Sequence, residues 1–225
     1  MTGPGFPADE MLMAELSVNR EQNEAGPREE DTLFTRRATQ LRDEVIRRLR
    51  ADPNVAAISF SAALPGSEYS GRIELDTAPV TFESGSREGG LSWARWDDNH
   101  ARVRFASVDA AFFDALDVQP IMGRTFTGAD GAAHANVAVV NRTFADSLFR
   151  GASPIGRKFR ELGNPGMGAD PEYRGPWQEI VGVVPDVPAN VDYERPPAVW
   201  YAPVRGVEPA TLLIHVRGME PALFA

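Results

Sequence analysis

One stretch, EEDTLFTRRATQLRDEVIRRLRADPNV, constrains the fold of this chain more than any other. Phe34, Ala38, Leu41, Val45 and Leu49 recur at spacings of three and four, which places them on one face of a helix. Glu29, Glu30 and Asp31 stand at its start and Arg47, Arg48 and Arg50 at its end, both favourable to the helix dipole. Pro53 stops it. Burying each large apolar member of the stripe is worth roughly 1.5–3 kcal/mol, so the helix needs a sheet to dock on. The sequence supplies one on either side. Residues 11–18 (MLMAELSV) alternate apolar and polar as a strand does, and 55–65 (VAAISFSAALP) read as a second strand. The segment 11–63 is therefore a β-α-β unit, whose crossover implies parallel or near-parallel strands.

After residue 66 the pattern changes. Short strands are expected at 72–75 and 80–83 among Ser, Gly and Pro, then a loop or hairpin carrying Trp93 and Trp96, and an alternating strand at 101–108. A short helix follows at 109–116 with Asp109 as its N-cap, then a β-like VQPIM and the turn Gly123-Arg124. Further strands are expected at 136–140, 156–160, 177–184, 198–202 and 211–217. A short helix at 142–149 carries Phe144, Leu148 and Phe149 on one face. Strands outnumber helices, and the class is α+β rather than doubly wound.

Several chemistries are excluded. A net charge of −9 opposes phosphate backbones, so nucleic acid is not the expected partner. There is no cysteine, hence no disulfide, thiolate metal site or cysteine nucleophile. Lys158 is the only lysine, so Schiff-base or lysine–phosphate chemistry would rest on it alone. No P-loop, G-x-G-x-x-G or G-x-S-x-G motif is present, and no cofactor is expected. No apolar run approaches the roughly 18 residues of a membrane span.

The remaining candidates each have a plain structural alternative. Asp97-Asp98-Asn99-His100 is the densest ligand-like cluster, and a solvated turn accounts for the same letters. Trp93, Arg95 and Trp96 could form an exposed platform for a substrate or partner, or could close a small core. His215, in TLLIHVRG, reads as a hydrogen-bonded strand histidine. Asn141-Arg142-Thr143 spells a glycosylation acceptor, but the better reading is a strand end whose Asn caps the helix that follows.

The order of the pieces carries more than any one of them. VDAAFFDALDVQPIMGRTFTGAD, NVAVVNRTFADSLFRGASPIGRKFR, PWQEIVGVVPDV, PPAVWYAPV and TLLIHVRG follow one another. The series resembles the MacB-like periplasmic core domain of ABC transporter permeases, in the FtsX-like, orphan-permease branch. The residues that match are Phe112, Phe113, Leu116, Gly123, Arg124, Asp130, Val137 to Asn141, Ala145, Leu148, Phe149, Pro154 to Gly156, Val181 to Val184, Asp186 and Pro197 to Pro203. Gly123, Arg124, Asn141, Gly156, Gly182 and Asp186 are thereby expected to be structural motif residues. The resemblance implies a two-lobed domain. A porter-like lobe with β-α-β units is expected from 1–65 and 177–225, and an inserted mixed α/β lobe from 66–176. The family's second β-α-β unit would start at 211–217, and the chain stops as its helix would begin, which suggests a fragment.

The function implied is non-enzymatic. An extracytoplasmic domain on the periplasmic side of the bacterial inner membrane would couple ATP-driven movement of membrane helices to export or to partner action outside. Its partners would be the permease's own transmembrane helices, an ATPase subunit across the membrane, a second permease copy and an extracytoplasmic protein. Rigid-body lobe motion would use hinges near Pro65-Gly66, Gly123 and Gly163 to Gly168. The competing readings are a secreted carbohydrate-active or carbohydrate-binding protein using the Trp93 to His100 region, and an adaptor-like module that only binds a protein.

Overall fold

The computed structural model describes residues 8–16, 31–63, 65–76, 100–163, 170–187, 196–204 and 210–217. Its strands are β1 (Met11–Leu16), β2 (Val55–Ser61), β3 (Tyr69–Leu75), β4 (His100–Val108), β5 (Met122–Gly123), β6 (Val137–Asn141), β7 (Lys158–Leu162), β8 (Gln178–Val184), β9 (Val199–Pro203) and β10 (Ala210–Val216). The helices are α1 (Asp31–Arg50), α2 (Phe112–Ala115), α3 (Gly128–Ala132) and α4 (Arg142–Phe149). The fold is mixed α/β, with few helices. The strand expected at 80–83 and the Trp93–Trp96 loop lie outside the described residues.

β10 lies between β1 and β2 and is antiparallel to both, so β1 and β2 run parallel without touching. The helix crossover demanded parallel strands; β10, the last of the described strands, fills the gap between them. α1 covers one face of this three-stranded sheet. Val45, Ile46 and Leu49 pack over Val55, Ile58, Phe60, Leu212, Ile214 and Val216. The stripe differs from the expected one at a single turn. Leu41 is 46% exposed, and Arg42 takes the inward direction with its guanidinium carbon 4.2 Å from the centre of the Phe60 ring. A cation over an aromatic face, with the aliphatic stem laid on apolar surface, substitutes for the leucine.

The other strands close on themselves. β4 pairs β3, β3 pairs β7, β7 pairs β8, β8 pairs β6, β6 pairs β9, and β9 pairs β4. The six form a ring whose interior is filled by side chains, as small barrels require. Ile73, Leu75, Ala101, Val103, Ala138, Val140, Phe159, Ile180, Val183 and Trp200 point inward, with Phe144, Leu148 and Phe149 of α4 packed among them. The expected partition groups 177–225 with 1–65; among the described residues, hydrogen bonding ties β8 and β9 to the ring and β10 to β1 and β2. The reason is visible in the apolar runs. Val183 and Trp200 face the ring interior, while Val184, Val199 and Tyr201 face a second core outside it.

That second core joins the two parts. Phe112, Phe113 and Leu116 of the α2 turn pack with Met11, Ala63 and Leu213 from the three-stranded side, and with Ala106, Val108, Val139, Val184 and Tyr201 from the ring. The backbone is continuous there too: Ser61 pairs Val108, the Ala62 amide donates to the Ser107 carbonyl, and the Asp109 amide donates to Phe60. α2 is shorter than expected, and Asp109 precedes it rather than capping it. Its Oδ1 accepts from Ser59 Oγ at 2.7 Å and from the Ala111 amide at 3.1 Å. Burial holds this carboxyl above its ordinary pKa.

Candidate functional site

Asn141 ends β6 and is 2% exposed. Its Oδ1 accepts from the amides of Phe144 and Val199, both at 2.9 Å. Its Nδ2 donates to Asp186 Oδ1 at 2.6 Å and to the Pro197 carbonyl at 2.7 Å. All four hydrogen-bonding positions of the amide are used. Asp186 in turn accepts from the Thr143 amide and the Thr143 hydroxyl, each at 3.0 Å. The side chain therefore caps α4 and pins the entry to β9. A glycosyl acceptor needs a solvent-facing Nδ2, and this one is consumed in the interior. The threonine of the N-x-T spelling serves the same lock.

The Gly-Arg motif forms a second lock. Gly123 has φ of 68°, and a Cβ there would stand 2.2 Å from the Val181 carbonyl oxygen. A Cβ on Gly182 would stand 1.9 Å from the Arg124 carbonyl oxygen. The two backbones cross where neither can carry a side chain. Gly123, expected as a hinge, lies at this close crossing. Beyond it, the Arg124 guanidinium grips Asp130 with two bonds of 2.7 and 3.0 Å, and the amide and hydroxyl of Thr127 donate to the same carboxylate. These donors, Arg124 first, lower the Asp130 pKa from 3.8 to about 2. Gly156, at φ of 80°, turns the chain so that its amide reaches the Ile180 carbonyl. Near the other expected hinges, the Gly66 amide donates to Glu68 Oε1 and the Gly163 amide to the Tyr173 carbonyl, and residues 164–168 lie outside the described residues.

Trp93, Arg95 and Trp96 lie outside the described residues, as do Asp97, Asp98 and Asn99. His100 opens β4, and His215 Nε2 lies 3.1 Å from Glu10 Oε2. Among the described residues no group of three His, Asp or Glu could hold a metal ion.

Polar groups that the sequence did not single out stand on the inward face of the ring. Glu161 lies opposite Ile73 in the β3–β7 register, hence on the inward face. Besides Ile73, Gly71 and Gly175 lie near it. A Cβ on Gly71 would stand 4.0 Å from Glu161 Oε1 and 3.2 Å from the Phe105 ring. One on Gly175 would stand 3.4 Å from Glu161 Cβ and from the Tyr173 hydroxyl. Phe105 stacks on Trp200 at 5.5 Å, and Trp200 meets Phe159 edge-on at 5.1 Å. Gln178 stands opposite Phe159. Trp200 Nε1 and Gln178 Oε1 are buried without a hydrogen-bond partner. Burial raises the Glu161 pKa. The only sequence signal was parity: Phe159 and Glu161 share a face, so a carboxylate on an apolar strand face was legible once β7 was placed.

The structure aligns with the periplasmic region of MacB from Actinobacillus actinomycetemcomitans at a TM-score of 0.52 and 12% identity, covering 98% of this chain and 80% of that one. It also aligns, at a TM-score of 0.47 and 14% identity, with the extracellular domain of the noncanonic ABC-type transporter YknZ from Gram-positive bacteria, covering 81% and 76%. No curated protein matches the sequence. The MacB-like periplasmic core domain family matches residues 18–217, and the chain belongs to that family. It is a periplasmic domain of an ABC transporter permease. Among the described residues no helix is long and apolar enough to cross a membrane.

Proposed function

We propose that this domain is a non-catalytic coupling element that carries ATP-driven movement of the permease's membrane helices to a substrate or partner outside. The observation behind this reading is the shared core around Phe112, Phe113 and Leu116, which draws residues from both the three-stranded sheet and the ring. Packed interiors resist deformation, so a displacement applied to one part is passed to the other. The lobe boundary follows strand pairing: β1, α1, β2 and β10 on one side, β3 to β9 on the other. This revises the mechanism expected from the sequence. The domain moves as one stiff body, and the movement lies between copies or against the membrane. A second permease copy and an ATPase subunit belong to this reading.

The test uses the cysteine-free background of the chain. Spin-label pairs are placed in the full-length permease, one pair joining α1 to β7 within a copy and one joining equivalent sites on two copies. Trapping the ATP-bound state should change the distance between copies and leave the distance within a copy fixed. A change of several ångströms within the copy, with none between copies, would refute the proposal.

A further inference from the structure

We propose that Glu10 and His215 form a pH-sensitive latch that fastens the chain entering β1 to the middle strand of the three-stranded sheet, firm in mild acid and loosened as the pH rises. Residues 8–10 form a 3-10 turn that leads directly into β1. Met11 lies opposite His215, so Glu10 stands just beyond that pair of the β1–β10 ladder. Its Oε2 comes back across the ladder to within 3.1 Å of His215 Nε2. The His215 side chain is 17% exposed and that of Glu10 37%, so water and salt screen the pair only in part. Histidine is the side chain whose charge ordinarily changes between about pH 5 and 8. With the ring protonated, the bond joins opposite charges and is roughly twice as strong as a neutral one. With the ring neutral, it survives only as an uncharged bond from the Nε2–H form. The pairing therefore favours the protonated ring, and its stabilisation is lost as the pH rises through the imidazole titration. On the sheet face that carries His215, its cross-strand neighbours Met11 and Ala57 are uncharged. The charged groups around it are Asp9 beside Glu10, Glu15 opposite Thr211 further along β1, Asp114 of the α2 turn, and Arg217 beyond the bulge that follows His215. Asp109 is the buried carboxyl on that side, bonded to Ser59, which lies opposite Leu213. α1 covers the other face. In the coupling reading, on which this consequence alone rests, the latch sets how firmly a movement arriving through residues 8–10 is passed to the sheet.

The test is hydrogen exchange of the whole chain at about pH 5.5 and about pH 8, on either side of the histidine range. Each amide's rate is taken relative to an unstructured peptide at the same pH, and the β8 amides of the ring serve as internal reference. Protection of the β1 amides should be at least about threefold higher at the lower pH, because local opening of β1 must break the latch. Glu10→Gln and His215→Gln each keep a hydrogen-bonding side chain and remove one charge. Both should bring β1 protection in mild acid down to its value at the higher pH and abolish the difference. Equal β1 protection of the native chain at both pH values would overturn the proposal. So would a pH dependence that persists in both variants, which would assign it to another group such as Asp109, whose pKa burial raises. The readout involves neither transport nor a second copy, so the latch stands or fails separately from the coupling reading.

Discussion

Asn141 and Asp186, 45 residues apart, are joined by a 2.6 Å bond from the amide Nδ2 to the carboxylate. The bond ties the end of β6 to the chain leaving β8, and the same two side chains cap α4 and anchor the start of β9. Replacing Asn141 by Ala strands the amides of Phe144 and Val199 in the interior. Each orphaned buried group costs about 1–3 kcal/mol, so a loss of at least about 3 kcal/mol is expected. Urea unfolding measures it. Asn141→Asp preserves shape but sets a second carboxylate against Asp186. It should be nearly as damaging at pH 7 and partly recover under mild acid.

The Arg124–Asp130 pair sets an acid limit. The folded-state pKa of Asp130 is depressed, so its contribution is complete above the unfolded value of 3.8 and is lost as pH falls through about 2. Stability should therefore decline between about pH 4 and 2. Asp130→Asn should be less stable at pH 7 and lose part of that decline. An unchanged acid profile in the variant would show that Asp130 is not the responsible group.

The backbone crossing gives a steric prediction with a built-in control. Gly182→Ala and Gly123→Ala each force a Cβ to within 2.2 Å or less of a carbonyl oxygen. Both should cost more than about 3 kcal/mol or prevent folding. Gly128, at the start of α3, has nothing within 4 Å of its would-be Cβ. Gly128→Ala should be neutral or slightly stabilising, since alanine favours helix. Thermal melts of the three variants separate packing from a general sensitivity to losing glycine.

On α1 the structure reverses the order expected from hydropathy. Leu41→Ala removes an exposed side chain and should change stability by less than about 0.5 kcal/mol. Arg42→Ala removes the stacking on Phe60 and should cost about 1 kcal/mol. At the junction, Phe113 is fully buried and meets the rings of Phe112, Phe126 and Tyr201. Phe113→Ala should cost about 3–5 kcal/mol. In hydrogen exchange it should weaken protection in β2 and β9 together, the signature of a shared core.

Much of this was legible in the sequence because local patterns are strong where they are periodic. The stripe from Phe34 to Leu49, the alternation of residues 101–108, and the Asn at the β6–α4 boundary each report a local geometry. The misses have physical causes. Arg42 was passed over because a charged residue does not register in an apolar stripe, although its stem and guanidinium pack as one. Gly123 read as a point of rotation because glycine permits it; that it also permits a close approach to the Val181 carbonyl shows only in the tertiary structure.

The sequence by itself determined the β-α-β unit, the α+β class, the cap at Asn141 and the membership of a permease-domain family. Those follow from period, spacing and the order of motifs along the chain. The tertiary structure decided that β10 enters between β1 and β2, that β8 and β9 close a ring with β3 and β4, and that Glu161 faces its interior. Alternation tells a strand which face to bury; it does not tell it which strand to lie beside. That choice is set by contacts between residues far apart in the chain, where the backbones of Gly123 and Gly182 cross and the core around Phe113 draws on both ends of the molecule.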